Sequence, residues 1–175
     1  MTEHLLHCPE LKLRPVEPED ADFMWEVESD STQWIQNSIV APLSRESLLQ
    51  YAISYDADPY RCGQLRLILT LADGTRVGVM DLYELSAKNH TAKVGIYVIP
   101  AYRNSNFGKR ALYLLHNYAY QILNLRLLCA EILKDNVPSI RLFQSVGYEV
   151  AGSLTDWIQC GQKFYTLDLL LKTLP

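Results

Sequence analysis

The sequence predicts an α/β protein organised on a mixed sheet, and three observations carry that reading. Helical and strand-like segments interleave along the chain, with a run of strands in the middle and a pair at the end. Between Gln64 and Ile99 the period shortens and Val, Ile, Leu and Tyr dominate. Last, the apolar strand Val94 to Ile99 runs into a polar turn that opens an amphipathic helix, the form of a crossover connection.

The elements follow in order. Leu11-Lys12-Leu13-Arg14-Pro15-Val16 alternates as a short first strand, and Pro18 with Glu19 and Asp20 starts a helix running to about Asp30. A loop, Trp34 to Pro42, precedes a helix from Ser44 to about Asp56. Glu46 and Ser47 sit in its first turn, and Leu48, Leu49 and Ile53 form its apolar stripe. Gln64 to Leu71, Arg76 to Leu85 and Thr91 to Ile99 read as three antiparallel strands, with Asp73-Gly74 as the first hairpin turn. Ala111, Leu115, Ala119 and Ile122 recur at helical spacing, and Arg126 to Leu133 is a compact apolar strand. A short helix, Asn136 to Val146, stops at Gly147. Two closing strands, Tyr148 to Ile158 and Lys163 to Leu171, flank Cys160-Gly161.

At 175 residues with 49% hydrophobic content, the chain suits one core, so residues 1–175 are expected to form a single domain. Net charge is −4 without a Lys/Arg block, which argues against a nucleic-acid binder. Cys8, Cys62, Cys129 and Cys160 are scattered without metal or disulfide spacing and read as reduced thiols, and no metal is expected. His4, His7, His90 and His116 show no metal spacing either, and each reads as a surface or capped residue. No signal-like or membrane-length apolar run is visible, so a cytoplasmic protein without a membrane partner is expected.

The turn is the most informative stretch. Tyr102-Arg103-Asn104-Ser105-Asn106-Phe107-Gly108-Lys109 would aim unpaired backbone N–H groups at one point, where the helix dipole also favours an anion. Pyrophosphate fits such a cradle.

These residues carry a family resemblance. Arg103, Asn106 and Gly108 stand in the frame Gln/Arg-x-x-Gly-x-Gly/Ala, and Asn136 to Tyr148 is similar to Asn-x-x-(Ser/Ala)-x-x-(Leu/Ile)-Tyr-x-x-x-Gly-Phe. Together they resemble the GCN5-related N-acetyltransferases (GNAT), nearest the branch of ribosomal-protein alanine and spermidine acetyltransferases. Leu11 to Pro15 and Leu123-Asn124-Leu125 look like that branch too, and the likeness spans almost the whole chain. Asn106 replaces the first glycine of the frame; asparagine tolerates a left-handed backbone better than most residues.

The resemblance implies a mostly antiparallel sheet whose fourth and fifth strands, counted from Leu11, splay apart. It implies acetyl-CoA as donor, with its pyrophosphate on the amides of Asn104, Ser105, Asn106, Phe107, Gly108 and Lys109 beside Arg103. Its pantetheine would pair with the main chain of Ile96, Tyr97 and Val98, as an added edge strand would, and hydrogen-bond Asn136. The Val98 N–H would be the oxyanion donor.

Acyl transfer to an amine also needs a proton acceptor. Glu84 is the candidate base and Asp81 a candidate acceptor contact; strand alternation puts them on opposite faces, so at most one enters a shared cleft. Trp34 and Gln36, with Asn37, fall in the loop where this branch meets its acceptor. That loop has no carboxylate, which weakens a polyamine assignment. Phe143 stands where the family has a Tyr that protonates the departing thiolate, with Tyr148 and Tyr165 as possible substitutes, although Tyr148 reads first as a core residue. Cys129 is read as buried, which favours direct transfer in a ternary complex over an acyl-enzyme.

The expected activity is N-acetylation of a primary amine, whether a protein N-terminus, a polyamine or an antibiotic. The rival is a CoA-binding module of the same fold with little turnover, suggested by Asn106 and Phe143; a turn for some other phosphate ligand is a third reading. The closing strands could pair two copies into a homodimer.

Overall fold

Alternation is the rule that builds the molecule. In the computed structural model, which describes residues 5–30, 41–56 and 58–175, one eight-stranded sheet runs in the order β1-β2-β3-β4-β5-β6-β8-β7. The strands are β1 (His7–Cys8), β2 (Leu11–Pro15), β3 (Gln64–Leu71), β4 (Arg76–Ser86), β5 (Thr91–Val98), β6 (Leu127–Leu133), β7 (Glu149–Cys160) and β8 (Lys163–Thr173). The helices are α1 (Ala21–Glu28), α2 (Arg45–Ile53), α3 (Pro59–Cys62), α4 (Phe107–Gln121) and α5 (Val137–Gln144). Among the described residues every neighbouring pair of strands is antiparallel except β5 and β6, joined in parallel through the α4 crossover. The mixed α/β expectation is met.

Period-2 side chains divide two cores between the faces of the sheet. Leu67, Leu69, Met80 and Leu82 pack with Ala111, Leu112 and Leu115 of α4 and with Phe143 of α5. On the opposite face Ile68 and Val79 meet Met24 and Val27 of α1 and Leu48 and Ala52 of α2. The core also needs Gly78: a Cβ there would run into the Tyr97 carbonyl of β5. Gly78→Ala is therefore expected to cost about 1–3 kcal/mol by overpacking and to displace β5 at Tyr97 and Val98. Thermal unfolding of the variant checks this.

Several boundaries differ from the sequence reading, each for a local reason. Pro18–Asp20 is a 3-10 turn, and α1 proper begins at Ala21, because the Asp20 carboxylate turns back to accept from the Glu17 N–H at 2.8 Å. Ser44 caps α2 by accepting from the Ser47 N–H at 3.0 Å. Ile53 and Ile122 end their helices in solvent rather than joining an apolar stripe. Two elements went unread: β1 is only two residues long, and α3 is a single turn capped by Asp58 and closed by left-handed Gly63. His116, read as a surface or capped residue, is instead buried in α4 with its Nε2 3.2 Å from the Tyr148 hydroxyl.

Candidate active site

A fork in the sheet makes the site. β5 and β6 pair only from Thr91 to Lys93 against Leu127 to Cys129, and beyond that register they part. The rest of β5, Val94 to Val98, is paired to β4 on one side alone. The fork opens onto a cavity of about 560 Å³, lined among others by Val94, Gly95, Ile96 and Tyr97 from β5, Glu131 and Ile132 from β6, and Ser139 and Phe143 from α5. These are the strands counted fourth and fifth from Leu11, so the expected splay is present.

The turn after β5 has the backbone expected of a cradle. Asn104 and Asn106 are both left-handed, with φ of 62° and 60°, and Asn106 immediately precedes the first turn of α4. Asparagine in place of glycine thus preserves the turn. Arg103 folds back on β5: its Nε donates to the Val98 carbonyl at 2.9 Å and its guanidinium lies 5.4 Å from the centre of the Tyr97 ring. Gly108 has a packing reason of its own, since a Cβ there would sit 3.1 Å from a Leu142 methyl of α5. Arg103 to Asn106 are exposed, and Phe107, Gly108 and Lys109 half-buried, at the end of the fork and outside the cavity wall. Asn136 caps α5, its Oδ1 accepting from the Ser139 N–H at 3.3 Å.

The wall facing α1 is acidic. On the face where Ile68 and Val79 form the core, the next positions toward the strand ends are Arg66 with Asp81 and Gln64 with Tyr83, paired across β3 and β4. Arg66 donates to both oxygens of Asp81, at 2.8 and 2.9 Å, and to Glu28 of α1 at 2.8 Å. Burial opposes its charge, but Asp81 and Glu28 outweigh that and hold the guanidinium firmly protonated. Glu28, Asp81, Glu84 and Glu131 line the cavity against Arg66 as its one lining cation among the described residues. Trp157 reaches the same cavity from β7, where two extra residues between Leu154 and Ile158 and left-handed Asp156 make a bulge.

One expectation is corrected. Asp81 and Glu84 both line the cavity, although strict alternation lets at most one of them enter it. β4 takes three steps from Tyr83 to Ser86 while β5 takes two from Lys93 to Thr91, and Glu84 is left-handed at φ 49°. The bulge inserts one residue and flips the alternation after it.

Tyr148 is no cavity hydroxyl, because it is buried edge-to-face on Phe143 and hydrogen-bonded toward His116. Its core placement was expected. Tyr165 does not line the cavity either, whereas Tyr83 and Ser139 do. Burial pushes the Cys129 thiol up, which makes it a poor nucleophile at neutral pH. Trp34, Gln36 and Asn37 lie outside the described residues. Glu28, Arg66, Glu131 and Trp157 were missed by sequence reasoning; only the facing of Arg66 and Asp81 had a trace, in the hairpin register around Asp73-Gly74. Among the described residues no His/Cys/Asp/Glu group could hold a metal, and no helix is long and apolar enough to cross a membrane.

Residues 10–149 match the family model described as an acetyltransferase (GNAT) domain. Spermidine N(1)-acetyltransferase of Escherichia coli K12 is 24% identical over 147 residues, covering 82% of this chain and 75% of that enzyme. The crystal structure of spermidine N-acetyltransferase from Vibrio cholerae in complex with CoA and spermine superposes with a TM-score of 0.84 at 17% identity, covering 94% of this chain and 95% of the other. A dodecameric structure of the Vibrio cholerae enzyme superposes with a TM-score of 0.76 at 18% identity over 94% of each chain.

Proposed function

We propose, of a chain that belongs to the GNAT acetyltransferases, that it moves the acetyl group of acetyl-CoA directly onto a primary amine of a small polycation such as spermidine. The observation that carries this is the fork between β5 and β6 opening onto a cavity whose wall, among the described residues, holds four carboxylates against the Arg66 guanidinium, with the Lys93 ammonium bound to two of them. The loop discounted for lacking acid is not where the acid lies; it comes from α1, β4 and β6. Two relatives are named for spermidine, which agrees with that charge.

The residues present fit the donor. Beyond Lys93, β5 has no strand partner on the β6 side among the described residues, so the Ile96 main chain and the Val98 N–H can pair with pantetheine, whereas Tyr97 pairs with Val79 of β4 and the Val98 carbonyl accepts from Arg103. Asn104 to Lys109 seat the pyrophosphate, with left-handed Asn104 and Asn106 turning the chain there, and Asn136 holds the arm at the start of α5. The Val98 N–H, turned away from β4, would donate to the developing oxyanion.

An alkyl ammonium must lose a proton before it attacks. Glu84 takes it through water: its side chain is 63% exposed, whereas that of Asp81 is 17% exposed with both oxygens held by Arg66. Phe143 cannot protonate the leaving thiolate, but Ser139, a hydroxyl residue one helical turn before it, lines the same cavity. Trp157 covers the acceptor's chain at the mouth. β7 lies at the sheet edge with Val150 and Trp157 exposed, and a second copy pairs there; the dodecameric relative agrees with self-association.

Incubation with acetyl-CoA and spermidine is expected to release CoA thiol and yield acetylspermidine by mass, with n-butylamine a poorer acceptor. Asn136→Ala is expected to weaken acetyl-CoA binding several-fold while costing about 1 kcal/mol of stability through the lost cap. Acetyl-CoA binding without thiol release from any amine would instead support the non-catalytic module that Phe143 suggests.

A further inference from the structure

Lys93 stands where the sheet changes on both sides. It pairs with Tyr83 at the last regular position before the β4 bulge, and with Cys129 at the last position before β6 leaves β5. Its ammonium lies 2.8 Å from a Glu84 oxygen on the bulge and 2.7 Å from Glu131 on the departing strand. One cation thus spans the root of the fork.

Glu84 needs such a tether. It is left-handed, its side chain is 63% exposed, and Lys93 is its ion-pair partner among the described residues. A non-glycine residue at positive φ inside a strand persists only where its surroundings hold it. Glu131 lines the cavity from the strand that must stay apart from β5.

We propose that Lys93 is a positioning residue that sets the width of the fork and the direction of the Glu84 carboxylate by clasping it to Glu131. The inference rests on the reading above, in which the fork holds pantetheine and Glu84 accepts the amine proton. The groups facing the clasp are Tyr83 and Glu84 from β4 and Cys129 and Glu131 from β6. Burial opposes the Lys93 charge, but the hydrogen bonds it donates to Glu131 and Glu84 outweigh that and keep the ammonium charged. Lys93 therefore acts as a fixed cation and takes no proton from the substrate.

The test compares wild type with Lys93→Met, Lys93→Arg and Glu131→Gln. Amide hydrogen exchange of the ligand-free proteins reads the clasp without any catalytic assumption. Loss of charge-assisted bonds of this kind is expected to speed exchange across 93–98 and 129–133 by about tenfold in Lys93→Met, with Arg restoring most protection. Acetyl-CoA affinity should fall in parallel. With spermidine as acceptor, kcat should fall more than KM rises, and the pH-rate profile should shift in Lys93→Met but not in Lys93→Arg. Should Lys93→Met fail to fold, Glu131→Gln, which cuts the clasp from the other strand, must show the same exchange signature. Exchange and affinity unchanged in the folded variants would overturn the clasp. A wild type that transfers no acetyl group would instead defeat the functional reading, while the exchange comparison still decides the role of Lys93.

Discussion

Arg66→Met is expected to destabilise the protein by about 3–5 kcal/mol, because removing one member of a buried ion cluster leaves the others uncompensated. Arg66, Glu28 and Asp81 are 15%, 11% and 17% exposed in their side chains, so solvent replaces little of what is lost. Arg66 also lies 6.0 Å from the centre of the Tyr51 ring. For a chain of this size the loss corresponds to a fall of roughly 10 °C in Tm, read by calorimetry. Adding Asp81→Asn to Arg66→Met should return part of the stability, since it removes a stranded charge. Lysine should not substitute, because a single ammonium cannot reproduce the two-pronged bond to Asp81 together with the bond to Glu28. A Tm within 2 °C of wild type, allowing about 2–4 °C per kcal/mol, would refute this account of the cavity wall.

The second large effect is expected at Asp20, whose side chain is fully buried. Arg14 holds it with two bonds of 2.6 and 2.7 Å, Arg76 with a third of 2.6 Å, and the Glu17 N–H with a fourth of 2.8 Å. Burial alone would raise its pKa; the arginines and the amide outweigh burial and bring it below the usual 3.8. A carboxyl depressed in the folded state adds stability that is complete above its unfolded pKa and disappears as pH falls through the folded value. Asp20→Asn should therefore cost about 3–5 kcal/mol at pH 7, leaving two arginines without their anion, and the gap from wild type should close below pH 3.8.

His116 adds an earlier step. Burial, with the charge of Lys172, lowers it from 6.5 to about 4. The unfolded chain takes that proton first, so stability should already decline from pH 6.5 to about 4. Urea titrations of wild type, Asp20→Asn and His116→Gln across this range would separate the steps. A single decline unaffected by either substitution would contradict both assignments.

How much of this was legible depends on the range of the signal. The hairpin at Asp73-Gly74, the helix start at Ser44, the left-handed turn at Asn106 and the helix end before Gly147 are decided by neighbours in sequence, and each lies within three residues of where it was read, although the helix from Ser44 stops at Ile53 rather than about Asp56. Asp81 and Glu84 show where local rules stop. Alternation alone separates them, and the one-residue bulge that reunites them is fixed by the register of β4 on β5 rather than by the residues themselves. Trp157 was invisible for the same reason, since its aim depends on how β7 slips against β8.

The sequence by itself determined the α/β order, the left-handed turn after β5 and the family, because periodicity, caps and a contiguous motif are short-range properties of the chain. Only the tertiary structure decided the character of the cavity. Glu28, Asp81, Glu84 and Glu131 lie on α1, β4 and β6, far apart in sequence, and they converge because the sheet forks at Lys93 and α1 packs beside β3. Charge gathered from distant elements is a property of packing, and no window along the chain contains it.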